Sequence, residues 1–214
     1  MRVLITGVNR GIGAALDRRL SDDGHEVIGT ARGHPEYLNL DVTRAEDFRA
    51  LADRLDGCAL DVVVCNAGVY LDKGHNLADG YPPQMWADTF AVNVAGVFQT
   101  VQTLLPNLQA SAQPRVAIIS SQMASSERAP GGSYIYRASK AAVLNLGRNL
   151  AVDLRPLDIA VGIYHPGWVR TDMGGSAADI SDDEAAQGMA ERIAALALDN
   201  TGCFETWDGR PLPF

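Results

Sequence analysis

The sequence predicts a single doubly wound α/β domain: a Rossmann-like parallel sheet of about seven strands flanked by helices, spanning residues 1–214. Three observations carry this. Short runs rich in Val and Ile alternate with longer helical patterns along the whole chain. Those runs are near-continuously apolar, as strands covered on both faces must be. The first of them runs directly into a glycine-rich turn that opens a helix.

Taken in order, "RVLIT" (2–6) reads as the first strand and "GIGAALDRRLSDD" (11–23) as the first helix. "EVIGT" (26–30) and "YLNL" (37–40) read as the next two strands, joined by "ARGHPE" alone. That is too short for a crossover helix, so an extended loop and an unusually open sheet face are expected beside it. "RAEDFRALADRLD" (44–56) reads as a helix and "LDVVVC" (60–65) as a strand. One long helix over 83–109 precedes the strand "RVAIIS" (115–120). A helix from Ser133 to Leu154, the strand "IAVGIY" (159–164) and a helix over 182–198 complete the pattern.

Composition narrows the function. The 214 residues, 47% hydrophobic and 21% charged, suffice for one buried core, and no linker-like stretch divides them. A net charge of −8 argues against a general nucleic-acid or anionic-membrane binder, which needs basic surface. No run of apolar residues reaches the length of a membrane span, and "MRVLITG" is too short for a signal peptide. Cys58, Cys65 and Cys203 are odd in number, without metal-ligand spacing, so reduced thiols, a cytoplasmic location and no metal site are expected.

"TGVNRGIG", Thr6 to Gly13, joins the first strand to the first helix. Gly7 permits a tight turn, Gly11 lets backbone approach a pyrophosphate, and Gly13 lets helix and sheet pack closely. The helix N-terminus then offers free N–H groups and a positive dipole to phosphates. A tight strand–helix turn with no ligand is the plainer alternative. Ala14 and Ala15 stand where a P-loop would need Lys and Ser/Thr. The second strand ends "GTAR" without the acid that binds NAD ribose hydroxyls, and Arg32 is in place to meet a 2′-phosphate. Arg10 is within reach of the same group, and guanidinium suits phosphate. Together they favour NADP(H) over NAD(H). Asp41 either accepts from an adenine amine or caps the following helix.

In "YRASK", Tyr136 and Lys140 lie four apart on one helix face. They are either a surface pair supporting the helix or a phenol whose pKa an ammonium draws down.

At this point the chain resembles the short-chain dehydrogenase/reductase family. The matching pieces are "TGVNRGIG", Asp41-Val42, "NAG" at 66–68, Asn93 in "FAVNVAG", "ISS" at 119–121, "YRASK" and "PGWVRTDM" at 166–173. "HPGWVRTDMGG" and the ending "WDGRPLPF" are most similar to the C-factor/sniffer-like carbonyl reductases. The resemblance implies Tyr136 as general acid/base and Ser121 as hydrogen-bond donor to the reacting oxygen. It implies Lys140 as partner of the tyrosine and of the nicotinamide ribose, and Asn93, at a local irregularity of the long helix, as holder, through its carbonyl, of a relay water. It implies a dinucleotide lying along Thr6, Gly7, Asn9, Arg10, Gly11, Ile12, Gly13, Arg32, Asp41, Val42, Asn66, Ala67 and Gly68. Pro166, Gly167, Val169 and Thr171 would stand at the nicotinamide, with Tyr136 and Lys140 also touching cofactor. Homodimers or homotetramers are usual in the family, and "AVNVAGVFQTVQTLL" (91–105) is apolar on more than one face.

Two departures bear on the substrate. Ser121 and Tyr136 are 15 positions apart, two more than the family's commonest spacing, which would land on Met123. Ser121 is kept because the C-factor-like members carry a similar insert; Ser120, Ser125 and Ser126 are alternatives, Ser120 expected to face away. The segment "SAADISDDEA" is too short for a large lid. Tyr70, Gln122, Met123, His165 and Trp168 are candidates for the pocket lining, or for fold packing. The expected function is hydride transfer between NADP(H) and a small carbonyl or alcohol. The alternative is an NADP-binding signalling or regulatory protein with incidental catalysis.

Overall fold

The structure, a computed structural model, describes residues 1–78 and 80–214. Seven parallel strands form one sheet in the order β3-β2-β1-β4-β5-β6-β7. They are β1 (Arg2–Thr6), β2 (Glu26–Ala31), β3 (Leu38–Asn39), β4 (Val62–Cys65), β5 (Arg115–Ile119), β6 (Ala160–His165) and β7 (Phe204–Thr206). The strand order reverses direction at β1 and β4, so a crevice opens beyond their carboxyl ends, where ligands of such sheets bind.

Alternate residues of each strand feed two separate cores. Leu4, Val63, Cys65, Val116, Ile118, Val161 and Ile163 pack on one face, with the helices α2 (Ala45–Arg54), α4 (Gly96–Thr103) and α6 (Tyr134–Leu154). Val3, Ile5, Val62, Val64, Ala117, Ile119 and Tyr164 pack on the other, with α1 (Gly11–Asp22) and α7 (Asp182–Ala195). Strands apolar on both sides are therefore what the two layers of helices require.

Four expectations are corrected. The long helix over 83–109 is three helices: α3 (Pro83–Phe90), α4 and α5 (Leu105–Gln109). A π-turn, Ala91–Ala95, separates the first two, with Gly96 N–H donating five residues back to Ala91 O. Pro106, with no N–H to donate, forces the second break. The last helix stops at Ala195, because Leu196 turns to an extended conformation with ψ 126°. The seventh strand, unplaced from sequence, is only three residues long, too short for a periodicity to register. Finally, α6 begins at Tyr134, since Ser133 has a left-handed φ of 49°.

The expected loop between β2 and β3 is present, and the sheet beside it is open. A groove of about 580 Å³ lies there, lined by Asp17, Ile28, Gly29, Tyr37 and Leu55 among others. Among the described residues no helix is long and apolar enough to cross a membrane.

Candidate active site

The glycine loop is held by contacts that leave no room for side chains. A Cβ on Gly13 would lie 2.2 Å from Gly7 O and 2.5 Å from Asn66 Nδ2. Asn66 Nδ2 donates to Thr6 O (2.9 Å) and Gly7 O (3.0 Å), pinning the turn to the end of β4. Thr6 Oγ1 accepts from the backbone N–H groups of Asn66 and Ala67, both at 3.0 Å. Thr6 is buried and fully engaged. Its side chain therefore locks "NAG" to β1, and any contact of Thr6 with a dinucleotide falls to its backbone.

Gly11, Ile12 and Gly13 form the first turn of α1, whose N-cap residue Arg10 makes no side-chain cap. The N–H groups of a first helical turn have no intrahelical partner, which is what anion binding at a helix N-terminus uses. Thr171 packs on the same turn, its Cγ2 3.4 Å from where a Gly11 Cβ would be. Arg10 pairs with Asp172 at 3.0 Å and Arg32 with Asp41 at 3.4 Å, both guanidinium groups well exposed. Exposed pairs of this kind are weak enough to be exchanged for a phosphate. Asn9 meets His34 at 3.2 Å in the same neighbourhood. Asp41 does not cap α2: its Oδ1 accepts from Thr43 N–H (3.0 Å) and hydroxyl (2.7 Å), while Arg44 is the N-cap residue. Val42 is buried against Gly96, where a Cβ would come within 2.9 Å of it. The residues present thus fit a dinucleotide with an extra phosphate near Arg10 and Arg32.

Asn93, Ser121, Tyr136 and Lys140 are brought together beyond the strand ends, and all four are buried. Lys140 Nζ donates to Ile119 O at 2.9 Å and lies 5.6 Å from the centre of the Tyr136 ring. Ser121 lies close enough to the Tyr136 phenol to lower its pKa. Ser121 Oγ also accepts from Met123 N–H at 3.1 Å. Ser120 turns away, as expected, and donates to Lys140 O at 3.2 Å. Ser125 is buried without a partner and Ser126 is exposed.

The Asn93 side chain is completely engaged. Its Oδ1 accepts from Val69 N–H (2.8 Å), and its Nδ2 donates to Val69 O (2.9 Å) and Ser139 Oγ (3.0 Å). Any part Asn93 has in a proton relay therefore falls to its backbone, inside the π-turn.

The Tyr136 phenol is pushed well above its usual pKa rather than drawn down. Burial is the main cause, followed by the stacked Tyr70; the nearby Ser121 hydroxyl opposes this, and Asp72 adds to it. Burial likewise lowers Lys140 to about 8, so its ammonium is itself poorly stabilised. The sequence could show the pair but not its dielectric.

Two further residues lie beside Tyr136. Tyr70, a candidate for the pocket lining, stacks on Tyr136 itself with ring centroids 4.2 Å apart, and its hydroxyl meets Ser133 Oγ. Asp72, unnoticed in sequence, is fully buried and accepts from the N–H groups of Ile135 (2.8 Å) and Tyr136 (3.2 Å). No local signal could have found it, because its partners are 63 and 64 residues away. Trp168 is exposed and donates to Gly174 O at 3.0 Å. Pro166, Gly167 and Val169 follow β6, with Val169 bridged to Ile180. Gln122 holds Arg128 at 2.8 Å, so the insert folds back over the turn after β5.

His165, at the end of β6, is buried with Nδ1 unpartnered, and burial, reinforced by Arg128, lowers it to about 4. The folded protein holds it neutral while the unfolded chain protonates near 6.5, so stability is lost as pH falls from about 6.5 to 4. We expect a loss on the order of 2–3 kcal/mol across that window. Denaturant melts of His165→Asn should show a flatter profile there; an unchanged slope would contradict the assignment.

Comparison with known proteins places this geometry. The chain is 36% identical over 168 residues to the C-signal protein of Myxococcus xanthus, covering 78% of this chain and 100% of that one. The structure of NADPH-bound carbonyl reductase from chicken fatty liver superposes with a TM-score of 0.91 at 28% identity, covering 100% and 98%. Carbonyl reductase Sniffer of D. melanogaster superposes with a TM-score of 0.94 at 27% identity, covering 100% and 99%. The family model described as short chain dehydrogenase matches residues 1–182, which hold the glycine loop and all four catalytic candidates. With its sheet order, glycine turn and Ser–Tyr–Lys cluster accounted for, the chain belongs to the short-chain dehydrogenase/reductase family of oxidoreductases.

Proposed function

We propose that this protein is an NADP(H)-dependent reductase of small aldehydes or ketones, able to run in reverse as an alcohol dehydrogenase. The observation that carries the reading is the buried Ser121–Tyr136–Lys140 cluster beside the glycine loop. When bound, the nicotinamide supplies or accepts a hydride at the substrate carbon. Gly11, Ile12 and Gly13 hold the pyrophosphate by backbone N–H groups, Arg10 and Arg32 the 2′-phosphate, and Lys140 the nicotinamide ribose. Asn66, Ala67 and Gly68 wall the crevice, and Pro166, Gly167, Val169 and Thr171 wall the nicotinamide end.

Ser121 donates a hydrogen bond to the carbonyl oxygen, stabilising the negative charge that develops there. Tyr136 delivers the proton to the same oxygen. Its raised pKa suits the reductive direction, because the buried phenol stays protonated near neutrality. The Lys140 ammonium then offsets charge on the phenolate as the proton leaves. Asn93 holds the relay water on its backbone carbonyl. Exposed Phe98 and Val152 on α4 and α6 favour a homodimer or homotetramer. A cytoplasmic setting accords with three free cysteines.

The test is loss of reduced-nicotinamide absorbance, with NADPH beside NADH, against small aldehydes, ketones and quinones. Turnover favouring NADPH is expected. Arg10→Ala/Arg32→Ala should raise the KM for NADPH about 10-fold or more while leaving that for NADH nearly unchanged, the loss of charge-assisted phosphate bonds. Equal effects on both cofactors would refute the 2′-phosphate assignment. The likeness to C-signal favours a second reading, an NADP-binding signalling protein. NADPH binding without turnover across the panel would support it.

A further inference from the structure

We infer that the loop after β4, residues 69–73, sets the orientation and charge environment of Tyr136, with Asp72 and Tyr70 as positioning residues. The inference rests on the reading of Tyr136 as the proton donor. Four of these five residues reach other parts of the site. Val69 exchanges two backbone hydrogen bonds with the Asn93 side chain in the π-turn. Tyr70 lies flat on the Tyr136 ring, with an interplanar angle of 21°, and its hydroxyl reaches Ser133. Leu71 is exposed, and Asp72, next to it, is fully buried. Lys73 Nζ donates to Met173 O at 2.8 Å, tying the loop to the segment after β6.

The start of α6 explains why such a brace is present. This 21-residue helix carries the catalytic tyrosine in its first turn, yet Ser133 provides no side-chain cap and the first turn contains no acid. Its N–H groups are instead taken by the Asp72 carboxylate, one oxygen to Ile135 and the other to Tyr136. A carboxylate is the strongest acceptor available for a helix N-terminus. Because one of its two bonds goes to the Tyr136 N–H itself, the position of that residue depends directly on it. A residue serving only as a helix cap could be any neutral acceptor; a buried negative charge also acts on the phenol.

Tyr136 is faced by Lys140 from its own helix, by Tyr70 and Asp72 from this loop, and by uncharged Ser121 after β5. Asn93 in the π-turn is uncharged, and His165 at the end of β6 is neutral at ordinary pH. Among the described residues, Asp72 is the carboxylate whose charge is felt at the phenol. Removing that charge should ease ionisation of Tyr136, while loosening its placement should slow turnover.

The test incorporates a fluorinated tyrosine at position 136 in the full chain, bringing the titration into the range where the fold survives. Its ¹⁹F signal is followed against pH, with and without NADP⁺, and kcat, KM and Tm are measured on the unlabelled variants. Asp72→Asn, which keeps a neutral acceptor, should lower the Tyr136 midpoint by roughly one unit, the effect of a charge several ångströms away at an intermediate dielectric. It should reduce kcat about 10-fold or more with little change in KM, as misplaced catalytic groups do. Asp72→Glu should bring the midpoint back toward the parent value. Tyr70→Phe, which keeps the stack and loses the Ser133 bond, should broaden or split the ¹⁹F signal while leaving the midpoint close to the parent. A midpoint shift without turnover in any variant would uphold the inference and defeat the reductase reading. Robust turnover with midpoint and pH profile unmoved by Asp72→Asn would do the reverse, leaving Asp72 a structural cap.

Discussion

Tyr136→Phe is expected to lower kcat/KM for carbonyl reduction by about 10²- to 10⁴-fold, the range for losing a positioned general acid. That corresponds to about 2.7–5.5 kcal/mol of transition-state stabilisation. The substitution removes one oxygen from a buried side chain that is otherwise held by packing against Tyr70. The neighbouring Ser121 hydroxyl keeps Met123 N–H as a donor. The fold and NADPH affinity should therefore change little. Three measurements separate the outcomes: steady-state kinetics, NADPH titration by fluorescence, and a thermal melt. A variant retaining a tenth or more of parental kcat/KM would mean that the proton comes from elsewhere, and the reading of the cluster would fall. A large drop in Tm would mean that the substitution reported on folding instead.

Gly13→Ala should be the most damaging single methyl in the crevice. The new Cβ would stand 2.2 Å from Gly7 O, and backbone cannot move aside as the end of a side chain can. Relief requires either lifting α1 from β1 or breaking the two bonds from Asn66 Nδ2 to Thr6 O and Gly7 O. Leu16 and Leu20 on α1 are buried in the core on that face, so lifting the helix exposes them too. We expect a loss of about 3 kcal/mol or more, above the usual cost of overpacking because backbone is on the receiving side. For a chain of this size that is a fall in Tm of roughly 6–12 °C. NADPH binding should weaken along with it, since the same turn presents the N–H groups of α1. A melt within a degree or two of the parent would show that the turn relaxes at small cost and that the close packing is not needed.

These two residues differ in how far they were legible. The role of Gly13 follows from a local pattern, because strand, turn and helix are consecutive in the chain. Tyr136 and Lys140 were legible as a pair, since helical spacing alone puts them on one face. The sign of the effect on Tyr136 was not, because it depends on burial beside the segments that follow β4 and β5. Ser121 stands beside the Tyr136 phenol despite a spacing that departs from the family's commonest one.

Sequence by itself determined the sheet class, six of the seven strands, the glycine turn and the family, because each is written in patterns a few residues to a few tens of residues long. Hydrophobic runs and turn residues act locally, and the two-sided burial they imply is what the parallel sheet fulfils. Tertiary structure alone decided the rest. The engagement of the Asn93 side chain by Val69 and Ser139 and the burial of Asp72 under the start of α6 both join residues remote in sequence. So does the rise in the Tyr136 pKa. The physical reason is common to all of them: charge and hydrogen bonding at the site are set by which groups exclude water around it, and those groups come together only when the sheet has closed its layers.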